Sequence, residues 1–249
     1  MLPWRNPSNQ TRLLLLFALT LLVSFCSIVY ELILAQCLSI ILGNTILRYS
    51  LTIGLYLFSL GMGALFVAWR GTGDKNPELL IRIESALTLL GMVLPFLILG
   101  GDQFLRNKLS ALGIPLGSTL LWLPSWGFMH FLILLVGLLS GAELPILMDL
   151  AQKLGTESSA QKILAIDYLG TFLGALAFPL VIYERLGLIA GSALLGALNA
   201  LAALLLFYLY PETRKTARLT LYACGLFGAT WIILQEASLR QVLVDYVFG

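Results

Sequence analysis

Charge is scarce in this sequence. Lys, Arg, Asp and Glu make up 11% of the 249 residues, against about a quarter in soluble domains, while 59% are hydrophobic. Mean hydropathy is +0.93. That balance excludes a water-soluble domain of ordinary kind and predicts an all-α, polytopic transmembrane helix bundle. A net charge of +2 is too weak to recruit nucleic acid through its phosphates. Histidine is nearly absent. His130 stands alone in an apolar segment, and the three cysteines, Cys26, Cys37 and Cys224, form no C-x-x-C pair. Neither pattern builds an ordinary zinc site, so the expectation is packing cysteines, a histidine bonding between helices, and no metal. No serine–histidine or cysteine–histidine arrangement offers a nucleophile. Glycine-rich runs such as "GLYLFSLGMGAL" lack the strand–turn–helix setting of a nucleotide fingerprint. No catalytic and no cofactor-binding residue is expected.

What the sequence has is long apolar runs. A helix needs about 20 such residues to cross the hydrocarbon core. That ruler marks seven spans, near 12–34, 47–69, 79–100, 119–150, 162–183, 187–209 and 218–235, in one membrane domain covering 1–249. The N-terminal run is too long for a cleaved signal peptide and reads as a retained first helix. It continues to Leu42, so it either tilts strongly or breaks into a second short segment. Pro124 and Pro145 predict bends in the fourth span. Residues 236–249 are mildly amphipathic and are expected at the interface. Ten of the fifteen Lys and Arg fall on the side of the N-terminus, which places that end in the cytoplasm and the chain in a cell membrane of bacterial inner-membrane type. An odd span count then carries the C-terminus outside. Small residues recur at helix spacing in "IGLYLFSLGMGALF" and "YLGTFLGALAF". They suit close helix packing and leave open a transporter-like bundle with a weak internal repeat.

Most acids fall at span ends. Glu31, Glu84, Glu143 and Asp167 do not, and Asp149 lies close to the end of its span. A carboxylate at mid-membrane costs roughly 3 kcal/mol on insertion scales, and such residues tend to face the bundle interior and mark a pathway. Depth along the helices puts Glu84, Glu143 and Asp167 in one layer toward the cytoplasmic side, with Glu31 deeper. Basic partners inside the spans are almost absent, since Arg82 and Lys162 sit where they can snorkel to the interface. The acids therefore either pair with an external cation or act structurally as protonated hydrogen-bonding groups. Pro145 lacks an N–H and frees the carbonyl of Gly141, beside Glu143. Tyr30 and Tyr168 adjoin Glu31 and Asp167, and aromatic rings with carboxylates suit an organic amine. Trp122 and Trp126 are expected in the interfacial belt.

Around these residues the chain resembles the membrane domain of the membrane-bound spermidine synthase family. "GAELPILMDLAQ" followed by "ILAIDYLGTFLGALAFPLVIYERLGL" carries the family's pattern in Gly141, Glu143, Pro145, Asp167, Tyr168, Gly170, Gly174, Phe178, Pro179 and Gly187. "YELILAQCLSIILGNT" adds Tyr30, Glu31, Leu32 and Gly43. Members of that family usually carry a cytosolic aminopropyltransferase domain after the membrane part, with a Rossmann-like fold. This sequence stops at Gly249, where such a domain would begin, so the resemblance does not imply the transferase activity.

Two functions follow. In the first, the lipid-embedded bundle binds or passes a small organic cation such as a polyamine, with Glu31, Glu84, Glu143 and Asp167 as the path and Tyr30 and Tyr168 as its walls. Gly141, Pro145, Gly170, Gly174 and Pro179 would set kinks and packing. In the second, the chain is a non-catalytic anchor or scaffold for a separately encoded aminopropyltransferase or another membrane complex.

Overall fold

The computed structural model describes residues 8–71, 76–113, 119–155, 158–213 and 216–248. Arg5, Lys75, Glu157, Arg214 and Lys215 lie outside the described residues, as do the side chains of Trp122 and Cys224. The described residues are all-α. Helix α1 spans Asn9–Leu42, α2 Thr45–Arg70, α3 Asn76–Pro95 and α4 Gly101–Ala111; α5 spans Thr119–Leu154, α6 Ser158–Ala177, α7 Gly187–Leu209, α8 Thr216–Leu234 and α9 Glu236–Phe248. A π-helical turn, Phe96–Gly100, joins α3 to α4, and a longer one, Phe178–Leu186, extends α6.

Among the described residues, five stretches are long and apolar enough to cross a membrane: Asn9–Leu42, Thr45–Arg70, Asn76–Ala111, Trp126–Leu154 and Ser158–Leu209. The last, 52 residues long, is divided at Gly187, where φ is +71°. Glycine tolerates that conformation because it has no Cβ, so the chain leaves α6 and re-enters as α7. The first stretch is one unbroken helix of 34 residues, about 51 Å at 1.5 Å per residue; of the two readings open for it, the separate segment is not formed. Its end is abrupt. Gly43 has φ +64° and Asn44 φ +48°, and Asn44 Oδ1 accepts from the Leu47 amide at 3.3 Å, which caps α2. Two residues thus reverse the chain. Helix α5 runs through both Pro124 and Pro145.

Three close pairings build the bundle: α2 on α5 and α1 on α6 run parallel, and α3 on α7 runs antiparallel. Apolar side chains gain nothing by leaving lipid for protein, so close backbone contact holds membrane helices together, and small residues permit it. Gly141 lies directly on the Leu60 carbonyl and Gly63 on the Leu138 carbonyl, joining α2 to α5. Gly91 faces Gly196, where an added Cβ would come 2.8 Å from the Gly196 amide nitrogen. Gly170 and Gly174 face the Leu21 and Phe25 carbonyls, which a Cβ would meet at 2.6 and 2.7 Å. Tyr30, wholly buried, ties α1 to the α3–α7 pair. Its hydroxyl donates to the Leu87 carbonyl at 2.9 Å and accepts from Asn199 Nδ2 at 2.7 Å.

Candidate cation site

The four mid-helix acids come from four different helices. At 1.5 Å per residue, Glu84 lies about 12 Å from the start of α3, Asp167 about 14 Å from the start of α6, and Glu143 about 16 Å before the end of α5. These helix ends all lie on the side where α1 begins, so the three share one layer. Glu31 lies nearer the far end, about 16 Å before the close of α1.

Glu31, Glu143 and Asp167 line one cavity of about 350 Å³, between α1, α2, α5 and α6. Gly141 and Pro145 also line it, together with Tyr56 and the hydroxyls of Ser24, Ser27 and Ser140. No lysine or arginine does so among the described residues. Ser24 Oγ donates to Asp167 Oδ1 at 2.5 Å. The Tyr56 hydroxyl donates to the Ser27 carbonyl at 3.0 Å and lies 3.1 Å from Ser27 Oγ. Glu31 and Glu143 are 5% and 3% exposed, so their carboxyl groups look into the cavity rather than outward to lipid.

Glu84 is fully buried and stands behind this wall. It faces Glu143 across the α3–α5 contact. Both oxygens of Glu84 and Oε1 of Glu143 are buried without a hydrogen-bond partner of sound geometry. Among the described residues, no three His, Cys, Asp or Glu side chains gather closely enough to hold one metal ion. The acids are spread along the cavity instead.

The two tyrosines beside the acids are placed elsewhere. Tyr30 sits in the α1–α3–α7 packing described above, off the cavity wall. Tyr168 is 66% exposed on the outer face of α6. Residues adjacent on a helix point about 100° apart, so a neighbour of a cavity residue is displaced from the cavity. The aromatic ring that does line it, Tyr56, lies within the glycine-rich run of α2. The signal available in the sequence was the face it shares with Leu60 and Ala64 at helical spacing, both of which also line the cavity.

Several polar residues at the bundle ends bond locally, while Arg48 Nε and Nη1 stay buried without a hydrogen-bond partner. Asp149 accepts from Asn76 Nδ2 and pairs with Lys153, each at 2.8 Å, tying the end of α5 to the start of α3. His130 Nδ1 lies 2.6 Å from the Trp126 carbonyl. Arg48 lies with its guanidinium 4.9 Å from the Trp126 ring centre, a cation–π contact that keeps it off the cavity wall.

Long apolar helices, close glycine contacts and an interior acid-lined cavity define a polytopic helical membrane protein. Comparison with known proteins places it further: the chain is homologous to the N-terminal, membrane part of the polyamine aminopropyltransferases. It is 30% identical over 246 residues to polyamine aminopropyltransferase 1 of Streptomyces coelicolor, covering 98% of this chain and 42% of that protein. Identity is 31% over 241 residues to polyamine aminopropyltransferase 1 of Ralstonia nicotianae, covering 94% and 42%. The polyamine aminopropyltransferase of Leptospira interrogans is 30% identical over 223 residues, covering 88% and 40%. The chain thus spans about two-fifths of the length of these relatives. No protein-family model and no solved structure matches it.

Proposed function

We propose that the chain is a membrane module that binds a small organic cation, most simply a polyamine, in the cavity between α1, α2, α5 and α6. The single observation that carries this reading is the meeting of Glu31, Glu143 and Asp167 in one buried space with no basic residue on its described walls. A carboxyl group so placed needs a cation or a hydrogen-bond donor, and among the described residues only Asp167 has a clear protein donor, Ser24. Acids spread along a cavity suit an extended cation with several amines better than a compact ion. About 350 Å³ is within the usual range for a small-molecule site, and Tyr56 supplies an aromatic wall that can meet an ammonium group. The relatives' names supply the polyamine context.

The topology belongs to the same proposal. Counting α8 and dividing the last long stretch at Gly187 gives seven crossings, with the N-terminus in the cytoplasm by the distribution of Lys and Arg. A transporter-like role would let the cation continue past Glu31 toward the far end. Uptake of labelled spermidine and putrescine into proteoliposomes holding the purified chain tests this. Uptake that disappears in Asp167→Asn is the expected result. No uptake by folded wild-type protein removes the transport role and leaves a binding site alone.

The anchor reading draws on a different observation, that the relatives are more than twice as long as the matched region. A module holding an aminopropyltransferase at the membrane would retain its partner through co-purification even when the cavity acids are neutralised. Loss of that partner on neutralisation, with the chain still folded, would count against it.

A further inference from the structure

Glu84 does not touch the cavity, yet it is the most deeply buried acid, and neither of its carboxyl oxygens has a hydrogen-bond partner of sound geometry. A purely structural carboxyl in a membrane interior would be expected to bond to a hydroxyl, an amide or a backbone group, because an unpaired polar atom there is costly. Thr88, one turn along, spends its hydroxyl on the Glu84 backbone carbonyl at 2.7 Å and leaves the side chain unsupported. What the Glu84 carboxyl does face is Glu143, the acid that forms part of the cavity wall.

Among the described residues, the surroundings offer no cation. Cys26 and Tyr30 approach the pair from α1, Tyr56 approaches Glu143 from α2, and Asp167 approaches Glu143 from α6. All are neutral or acidic. Two unit charges in contact at low dielectric repel by many times the thermal energy. With nothing basic among the described residues to offset them, a doubly charged pair is disfavoured, and one proton shared between the two carboxyl groups removes the repulsion.

We propose that Glu84 and Glu143 form a proton-holding pair that exchanges its proton for the cation in the cavity. This rests on the cation-binding reading above and adds the coupling. On the cavity side, an ammonium group arrives at Glu143 and supplies the positive charge the pair lacked. The O–H bond of the shared carboxylic acid then breaks, and the proton leaves through the cavity. The electron pair stays on the carboxylate now paired with the ammonium. When the cation departs, a proton returns from solvent and the O–H bond re-forms. Charge is conserved: one positive charge enters as one leaves. Glu84 is a positioning residue in this account, because it acts only through Glu143.

The test is calorimetric titration of the purified full-length chain with spermidine at one pH in two buffers of different ionisation enthalpy. The difference in observed heat gives the protons released per cation bound. We expect about one proton released by the wild type. Glu84→Gln keeps the side-chain shape and leaves Glu31, Glu143 and Asp167 on the cavity wall, so it should still bind spermidine but release less than half as many protons. Binding with the same heat in both buffers would overturn the coupling while leaving the cation site intact. Equal proton release by the wild type and Glu84→Gln would also overturn it. Absence of binding to folded wild-type protein would remove the cation site and the coupling together. The wild-type result stands without the variant, so a Glu84→Gln chain that fails to fold does not shield the proposal.

Discussion

Ser24 Oγ and Asp167 Oδ1 lie 2.5 Å apart, joining α1 to α6 across 143 residues of sequence. Ser24 Oγ is also 2.7 Å from the Thr20 carbonyl, so its single proton has an alternative acceptor one turn back on its own helix. The contact therefore orients the Asp167 carboxyl without being needed to satisfy the serine. Ser24→Ala should leave α1 folded, since the Thr20 carbonyl keeps its place in the helix. It should weaken spermidine binding by about tenfold or more, as expected for a hydrogen bond to a charged or charge-bearing group worth about 1.5–3 kcal/mol. Equilibrium binding to wild type and variant in the same detergent measures this.

Tyr30 and Tyr56 are both wholly buried but do different work. Tyr30→Phe leaves the buried Asn199 amide without its acceptor and should cost about 1–3 kcal/mol of stability with spermidine affinity unchanged. Tyr56→Phe removes a hydroxyl from the cavity wall and should alter affinity. Thermal unfolding and binding on each variant separate the two; a change in affinity for Tyr30→Phe would contradict the placement.

Tyr168 projects from the outer face of α6. Tyr168→Leu should leave both affinity and unfolding temperature within error of the wild type, since surface substitutions away from special features change stability by less than about 0.5 kcal/mol. A loss of binding would place the cation path outside the described cavity.

The helix notches make a contrast within α2 and α5. A Cβ at Gly141 would collide with the Leu60 backbone, while a Cβ at Gly54 or Gly61 meets nothing within 4 Å. Gly141→Ala should destabilise by about 1–3 kcal/mol, the usual cost of overpacking. Gly54→Ala should be neutral or stabilising by up to about 1 kcal/mol, from helix propensity. Unfolding in detergent, followed by circular dichroism, compares them.

The acids were legible in the sequence because carboxylates are rare inside apolar runs. Counting residues from helix ends was enough to put Glu84, Glu143 and Asp167 at one depth. Their grouping was a different matter. Which face of α5 carries Glu143 toward α6, and Glu84 toward α5 rather than α7, depends on how helices rotate when glycines such as Gly141 and Gly170 meet backbone carbonyls. That rotation is a property of pairs, not of single segments. The same gap explains the aromatics. Tyr30 and Tyr168 were singled out as neighbours of acids in sequence, yet helical geometry turns a neighbour away, and Tyr56 reaches the cavity from another helix. Helix boundaries were readable where turn chemistry was strong, as at Gly43–Asn44. The continuity of α1 and of α5 through Pro124 and Pro145 was not, since tertiary packing decides whether a long apolar run bends or breaks.

In the proposed site, Glu143 and Asp167 together hold the cation. Equilibrium binding of labelled spermidine to the purified chain, wild type against Glu143→Gln/Asp167→Asn, tests it most directly. The expected result is saturable binding by the wild type and at least tenfold weaker binding by the double variant, with both proteins folded. Equal binding by the two, or none by the wild type, would contradict it.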